Sequence, residues 1–407
     1  MSLIASMACQ NIFAQWNQNE KQILKKYPEN SFPSPGYATL WAGFHSINKT
    51  LSVFFQSKRK KIQTKDFKHP LEYSLAIQRG RFRKPIKAPL IIIGNAIFRD
   101  DKSDRAVQKD FYKRGFHVVS LPTGLSEPYF KAHPISFKPG DMFAEAKANV
   151  EVIRKIKEQI GLSLIEETHY WGASYGATIG AYTRYFDERN NSQVIDGKYF
   201  LVAPITDVYY ALSEFDNMVE EYHGKFNNNK TKFTVNLLNS YIRFRKTDIP
   251  NHTEEKFVHA SRSLTGGIVQ RALRIVTRSF DDLSKKNILS RSKGEDKRFS
   301  FRKKKYFGAN DKEIDDLKMQ DLLEYLLPEV ERKMKSYQGK LVYWIRETEK
   351  LNPKSELKAL LSYDDPLLNP AQFRHFERHP SFHILKTGGH LGYACQDWYS
   401  ELVDEVF

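Results

Sequence analysis

Short apolar runs alternate with longer amphipathic stretches in the first half of the chain. Residues 89–94, 116–121 and 199–203 are runs of mostly apolar residues, typical of strands that are buried on both faces of a sheet. Between these runs, apolar residues recur at helical spacing over 106–111 and 140–161. Strands that alternate with helices in this way predict an α/β fold, in which helices cover both faces of a mostly parallel sheet.

The alternation stops near residue 207 and returns close to the C-terminus. The residues between are charged and have a largely helical pattern. Further strands are predicted over 168–172, 359–363 and 382–385, and further helices over 177–185, 370–377 and 398–406. The predicted organisation is an N-terminal helical extension (1–69), a core in two parts (70–206 and 341–407) and a helical, basic cap insertion (207–340).

The composition is that of a folded protein. Of the 407 residues, 41% are hydrophobic, which excludes a mainly disordered chain. The two cysteines, Cys9 and Cys395, are too few for a disulfide scaffold or for a zinc site closed by thiolates. No apolar stretch approaches the ~18 residues of a membrane-spanning helix.

Positive charge is concentrated in two segments. The formal net charge is +16, and residues 58–87 hold eleven Lys/Arg against two acidic residues, while 262–305 hold fourteen against four. Such segments are usually solvated loops and strand edges, although they also suit an anionic membrane surface. Because no helix-turn-helix, zinc-finger or RNA-binding signature accompanies the charge, a nucleic-acid partner is not expected.

The N-terminus bears on the location of the protein. Met1–Ala14 is mildly apolar with small residues, as at the end of a secretory signal peptide, but no Lys or Arg precedes its short apolar stretch. We therefore favour a helix that begins here and a cytoplasmic protein. A secreted or periplasmic location stays open if the segment is the remnant of a longer signal.

A serine between glycines follows one predicted strand. Residues 172–176, Gly-Ala-Ser-Tyr-Gly, match the pattern G-x-S-x-G and are followed by helix formers. A serine on such a strand-to-helix turn exposes its hydroxyl above the sheet, and the helix behind it points N–H groups at the site. The sequence therefore predicts Ser174 as a nucleophile, with an ordinary glycine-bounded turn as the alternative.

A serine nucleophile needs a base and a carboxylate that orients the base. His390 lies between glycines after a predicted strand, where a loop presents its ring without hindrance. Asp365, just after the strand over 359–363, is the predicted carboxylate, and Asp364 is the alternative. Ser174, Asp365 and His390 occur in the chain order serine, acid, histidine of α/β hydrolases.

These motifs resemble those of α/β-hydrolase fold serine hydrolases, over roughly 70–206 and 340–407. Residues 387–393, Thr-Gly-Gly-His-Leu-Gly-Tyr, are similar to the histidine loop of the hydrolases related to medium-chain esterases and acylglycerol lipases. Residues 121–126, Leu-Pro-Thr-Gly-Leu-Ser, resemble the family's Asp-x-Pro-Gly-x-Gly-x-Ser loop, with Ser120 in place of the aspartate.

One departure from the family concerns the oxyanion hole. After the third strand the family usually has His-Gly, whereas this chain has Gly94-Asn95-Ala96. The resemblance implies that the backbone N–H groups of Ala96 and Tyr175 bind the oxyanion. The side chain of Asn95 is a further candidate donor.

The resemblance implies an esterase or lipase that acts on a small-molecule or lipid-like ester through an acyl-enzyme. It implies no organic cofactor and no metal, and no ordered Asp, Glu or Cys ligands accompany His375, His379 and His383. A catalytically silent relative that binds a partner through its basic cap is the alternative. Ester, thioester and amide substrates, and the oligomeric state, stay open.

Overall fold

The structure, a computed structural model, describes most of the chain outside the long insertion. The described residues are 15–27, 32, 34–42, 57–96, 105–135, 141–226, 229, 232–233, 235–236, 261, 263–269, 335–336, 340–352 and 356–407. The N-terminal Met1–Ala14, most of the predicted cap and nearly all of the basic segment 262–305 lie outside them.

The strands of the described residues form one sheet. Their bounds are β1 Lys58–Ile62, β2 Leu71–Ala76, β3 Ala88–Gly94, β4 His117–Leu121, β5 Ile165–Ala173, β6 Tyr199–Val202, β7 Leu357–Ser362 and β8 Phe382–Leu385. The spatial order is β1-β2-β4-β3-β5-β6-β7-β8. Strands β3 to β8 are parallel, whereas β1 and β2 pair antiparallel at one edge. The loops that follow β3, β5, β7 and β8 therefore meet at the same end of the sheet.

Helices connect these strands. Their bounds are α1 Gln18–Leu24, α2 35–42, α3 Arg105–Lys113, α4 Glu127–Ala132, α5 Met142–Ile160, α6 Tyr175–Arg189, α7 Val208–Phe226, α8 Leu341–Leu351, α9 Phe373–Phe376 and α10 Asp397–Val406. Helix α6 packs against α5 and α8 on one face of the sheet, and α10 packs against α1 on the other.

Strand β3 shows why the core forms on both faces. Leu90 and Ile92 belong to the apolar cluster on the α5–α6 face, while Ile91 and Ile93 belong to the cluster on the α1–α10 face. Successive side chains of a strand point to opposite faces, so a continuous apolar run lets one strand contribute to both clusters.

The fold class predicted from the sequence is confirmed. The predicted strand 382–385 coincides with β8, the strand 89–94 begins one residue earlier at Ala88, and the helix predicted over 140–161 is α5. The alternation ends after β6, and the segment that follows begins with α7. The predicted helix over 370–377 is shorter, because only α9 and a 3₁₀ turn before it are helical.

The pattern did not predict β1, β2 or α4. Four of the five residues of β1 are exposed and basic, so no alternation of apolar and polar residues marks this edge strand. Its register with β2 decides its conformation, and lysines on an edge strand discourage pairing with other chains. The sheet therefore begins inside the segment 1–69 that the sequence assigns to the extension.

Candidate active site

Ser174 lies on the turn that links β5 to α6. Its backbone has φ 53° and ψ −120°, a left-handed conformation that is strained for a residue with a side chain. The glycines beside it are required because the neighbouring backbone leaves no room for a side chain. A Cβ on Gly176 would lie 2.1 Å from the carbonyl oxygen of Gly94. A Cβ on Gly172 would lie 2.6 Å from the carbonyl oxygen of Gly176. The G-x-S-x-G pattern is thus required for close packing of β3, β5 and α6.

His390 joins Ser174 to Asp365. Its Nε2 lies 2.7 Å from Ser174 Oγ, and its Nδ1 lies 2.8 Å from Asp365 Oδ2. Because an ionised carboxylate only accepts hydrogen bonds, Nδ1–H donates to Asp365 and Nε2 is left to accept the serine hydroxyl. All three side chains are buried. The structure therefore brings together the three residues that the sequence singles out, although they are far apart in the chain.

The two neighbouring aspartates have different partners. Asp365 Oδ1 accepts the N–H of Leu367, which fixes the carboxylate while Oδ2 faces His390. Asp364 Oδ1 instead accepts the N–H of Gly389, over 2.8 Å, and the hydroxyl of Ser362. Asp364 therefore contacts the backbone of the histidine loop, whereas Asp365 contacts the ring.

The histidine loop is held from the N-terminal extension. The N–H of His390 donates to Thr39 Oγ1 over 2.9 Å, across a separation of 351 positions in the chain. Tyr27 donates its hydroxyl to the carbonyl oxygen of Thr387. A Cβ on Gly389, where φ is 54°, would lie 2.3 Å from a backbone oxygen of Pro35. Sequence reasoning missed Thr39 and Tyr27, since no motif marks them.

The side-chain amide of Asn95 has two acceptors in β4. Its amide Nδ2 donates to Ser120 Oγ over 3.0 Å and to the carbonyl oxygen of Leu121 over 2.6 Å, and the residue is 1% exposed. Both amide hydrogens are thus directed at the end of β4. The N–H of Tyr175 is in the first turn of α6, where helical N–H groups have no acceptor within the helix.

A buried carboxyl group contacts the residue that follows Ser174 on the strand-to-helix turn. Tyr175 donates its hydroxyl to Glu145 Oε2 over 2.5 Å, and the N–H of Gly124 donates to Glu145 Oε1 over 2.9 Å. Burial raises the pKa of Glu145 to about 8, against the opposing effect of these two hydrogen bonds. Glu145 therefore links α5 and the loop after β4 to the residue that follows Ser174, a connection that sequence reasoning missed.

Two of the histidines near β8 have other contacts. His379 Nε2 lies 2.6 Å from Glu349 Oε1, and the ring of His383 packs on Trp16. Burial lowers the pKa of His383 to about 4. Among the residues that the structure describes, no three His, Cys, Asp or Glu side chains are placed to bind one ion, and no helix is long and apolar enough to cross a membrane.

Three features identify the fold: the strand order, the strained turn at Ser174 after β5, and the histidine loop after β8. The chain has the α/β-hydrolase fold. Within this fold, the described geometry places a serine, a histidine and an acid after β5, β8 and β7, all at the carboxyl end of the parallel strands.

Comparisons with solved structures find distant α/β hydrolases. An esterase of Pyrococcus furiosus is 12% identical, with 86% of this chain and 89% of that chain covered and a TM-score of 0.44. An acylaminoacyl peptidase of Pyrococcus horikoshii is 10% identical, with coverage of 87% and 42% and a TM-score of 0.39. A carboxylesterase of Lactobacillus plantarum is 14% identical, with 39% of this chain covered and a TM-score of 0.29.

These likenesses carry no argument about activity. The chain spans 59% of the length of the Lactobacillus plantarum carboxylesterase. No protein-family model and no curated protein sequence matches the chain. The function of this protein therefore has to follow from the chemistry of its own residues.

Proposed function

We propose that this protein is a serine hydrolase that cleaves a carboxylic ester through an acyl-enzyme on Ser174. The observation that carries the proposal is the hydrogen-bonded chain from Ser174 Oγ through His390 to Asp365 Oδ2. Support comes also from the strained backbone of Ser174, because strain at a non-glycine residue persists where the surrounding structure enforces it and is frequent at active sites.

In the first step, Ser174 Oγ attacks the carbonyl carbon of the ester. His390 Nε2 takes the hydroxyl proton, and Asp365 stabilises the imidazolium that forms. The N–H groups of Tyr175 and Ala96 stabilise the negative charge on the carbonyl oxygen. Asn95 holds the backbone next to Ala96 through its bonds to Ser120 and Leu121. His390 then gives the proton to the leaving alcohol, and the acyl group stays on Ser174.

In the second step, water hydrolyses the acyl-enzyme. His390 removes a proton from the water as it attacks the acyl carbon, the same two N–H groups stabilise the oxyanion, and the proton returns to Ser174 Oγ as the acid leaves. Every proton transfer uses Nε2, which is why the carboxylate at Nδ1 has to fix one tautomer of the ring. No step requires a metal or an organic cofactor.

The substrate is proposed as a small or lipid-like carboxylic ester. A thioester or an amide would react through the same atoms, since each presents an acyl carbon and a leaving group to protonate. A panel of p-nitrophenyl esters of increasing chain length, one thioester and one anilide would rank the three classes by kcat/KM.

Covalent labelling tests the proposal directly. A fluorophosphonate probe should label the wild-type protein, and the modified peptide should contain Ser174. Ser174→Ala should abolish the labelling, and Ser126→Ala, which changes another buried serine, should retain it. A correctly folded wild type that does not react with the probe would exclude the esterase proposal.

That negative result would favour the second candidate, a hydrolase-like binding protein. The observation that favours this candidate is the commitment of the Asn95 amide to Ser120 and Leu121 at the place where the family usually has His-Gly. The hydrogen-bonded chain on Ser174 argues against it, since a protein that only binds has no use for an oriented base.

A further inference from the structure

The connection between β2 and β3 forms a hydrogen-bonded hairpin, which we name the basic finger (77–87). The N–H of Gly80 donates to the carbonyl oxygen of Lys84 over 3.0 Å, and the N–H of Ile86 donates to that of Gln78 over 3.2 Å. These bonds close the finger at two levels. The tip is therefore held by backbone hydrogen bonds across the hairpin.

An aromatic residue stands at the tip of the finger. Phe82 is 90% exposed, and both Phe82 and Arg83 have positive φ, at 64° and 58°. Two successive non-glycine residues in this conformation are strained, and the side chain of Arg79 supports them by donating to the carbonyl oxygen of Arg83 over 2.5 Å. The strained backbone of Phe82 and Arg83 thus holds the ring of Phe82 in solvent.

The charge of the finger has one sign. It contains no acidic residue, and its basic residues are Arg79, Arg81, Arg83, Lys84 and Lys87. Strand β1 adds Lys58, which pairs with Leu75 at the end of β2 from which the finger emerges. The start of β5 carries two exposed acidic residues, Glu166 and Glu167. The positive charge of this surface therefore lies on the finger and β1 and does not extend to β5.

Two other exposed apolar side chains lie on the finger or on the turn that contacts its base. Ile86 is 43% exposed, and Leu162, on the turn before β5, is 63% exposed. His117 joins this turn to the finger, because its Nδ1 accepts the N–H of Gln78 while its Nε2 donates to the carbonyl oxygen of Leu164 over 3.0 Å. The surface therefore combines aliphatic and aromatic groups with cations.

We propose that the basic finger binds an anionic lipid surface, with the ring of Phe82 inserted among the headgroups and the Lys and Arg side chains on the phosphates. Hydrocarbon accepts the aliphatic Ile86 and Leu162 as well as the ring, whereas a nucleic acid would use only the ring and the cations. The finger lies at the amino end of β3, opposite the end that carries Ser174. A protein bound through the finger would therefore have Ser174 at the end of the sheet that faces away from the lipid.

Flotation with vesicles tests this proposal, which does not depend on the proposed ester hydrolysis. The full chain is mixed with phosphatidylcholine vesicles that contain phosphatidylglycerol, and with vesicles of phosphatidylcholine alone. Binding is expected only to the anionic vesicles. It should weaken when the salt is raised from about 0.1 M to about 1 M, because the Debye length falls from about 10 Å to about 3 Å.

Two variants with matched controls assign the binding to the finger. Arg81→Gln with Arg83→Gln should weaken vesicle binding at least about tenfold, since each cation near an anionic surface contributes roughly fivefold. Lys25→Gln with Lys131→Gln removes the same charge from other exposed positions and should change binding less than about threefold.

The ring is tested separately. Phe82→Asn keeps a residue that tolerates positive φ and should weaken binding about fivefold. The control Ile135→Asn removes a side chain that is 61% exposed in the loop after α4 and should leave binding unchanged. Thermal melting of each variant shows whether it is folded.

Three outcomes would overturn the proposal. These are the absence of binding to anionic vesicles by the folded wild type, equal losses in the finger variants and their controls, and retention of an acidic oligonucleotide or polypeptide without binding to vesicles. The last result would assign the finger to a macromolecular polyanion.

Discussion

The side-chain amide of Asn95 donates a hydrogen bond to Ser120 Oγ over 3.0 Å. Asn95 follows β3 and Ser120 lies in β4, so the bond ties the ends of two adjacent parallel strands. Both residues depart from the pattern of the hydrolases that the sequence resembles, which have His-Gly at the first position and aspartate at the second. The two departures occur in contact, and each supplies the partner that the other needs.

This contact predicts a structural effect for Asn95→Ala. The change removes the donor for Ser120 and for the buried carbonyl of Leu121, so we expect the free energy of unfolding to fall by about 1–3 kcal/mol. The rate kcat should fall by about tenfold, because the backbone of Ala96 loses its support. Urea unfolding and steady-state kinetics on one ester measure the two effects.

Ser120→Ala is the matched control, since it removes one bond and leaves the amide bonded to Leu121. A loss of about 0.5–1.5 kcal/mol is expected. If Asn95→Ala kept full stability and lost several hundred-fold in kcat, Asn95 would be a direct oxyanion donor and our interpretation would be wrong.

The two aspartates offer a second prediction with an internal control. Asp365→Asn should lower kcat by roughly a thousandfold or more, because an amide donor beside Nδ1 favours the wrong tautomer of His390. Asp364→Asn should lower kcat by only about tenfold, through a looser histidine loop. Equal losses in the two variants would show that the acid has been assigned wrongly, and the fluorophosphonate labelling rate gives the same comparison without a substrate.

Thr39 gives a third prediction, that the N-terminal segment supports the histidine. Thr39→Val is nearly isosteric but leaves the N–H of His390 without its acceptor, so kcat should fall by about tenfold, with KM little changed. Thr39→Ser keeps the hydroxyl and should restore activity. Failure of serine to restore it would mean that the methyl group, and not the hydrogen bond, is what matters.

Glu145 makes stability depend on pH. Its pKa is about 8 in the folded protein and near 4.5 when solvated, so between these values the folded state holds a proton that the unfolded state releases. The free energy of unfolding therefore falls as pH rises from about 5 to about 8, and levels off above that. The expected total is on the order of a few kcal/mol.

Glu145→Gln mimics the protonated acid and should remove this slope. Its carbonyl can accept the N–H of Gly124, and its amide can donate to the hydroxyl oxygen of Tyr175. Urea midpoints across the same pH range measure the effect. Glu158→Gln, an exposed glutamate on the same helix, should leave the slope in place, and a wild type without any slope would contradict the assignment.

The core elements were predictable because they are buried in a regular way. Strands β3 and β8 and helix α5 carry apolar spacing that only one conformation can bury. Their predicted bounds therefore agree closely with the observed ones. Strand β1 carries lysine and arginine instead, and its conformation is imposed by pairing with β2. Propensity gives no signal where a neighbouring strand supplies the stabilisation.

Asp364 and Asp365 show the corresponding limit for the site. Both follow the same strand, and one residue of shift in a turn decides which carboxylate faces His390 and which faces Gly389. The sequence carries the side-chain chemistry but not the turn geometry that aims it.

The sequence by itself determined the α/β core and named Ser174, Asp365 and His390, because apolar periodicity and a glycine-bounded serine are local signals. Only the tertiary structure decided how the site is supported. Thr39, Ser120 and Glu145 act through contacts with residues distant in the chain, and any polar residue at a suitable distance could have served. Local patterns report what a segment buries, whereas the partner of a buried polar group depends on which other segment the fold places beside it.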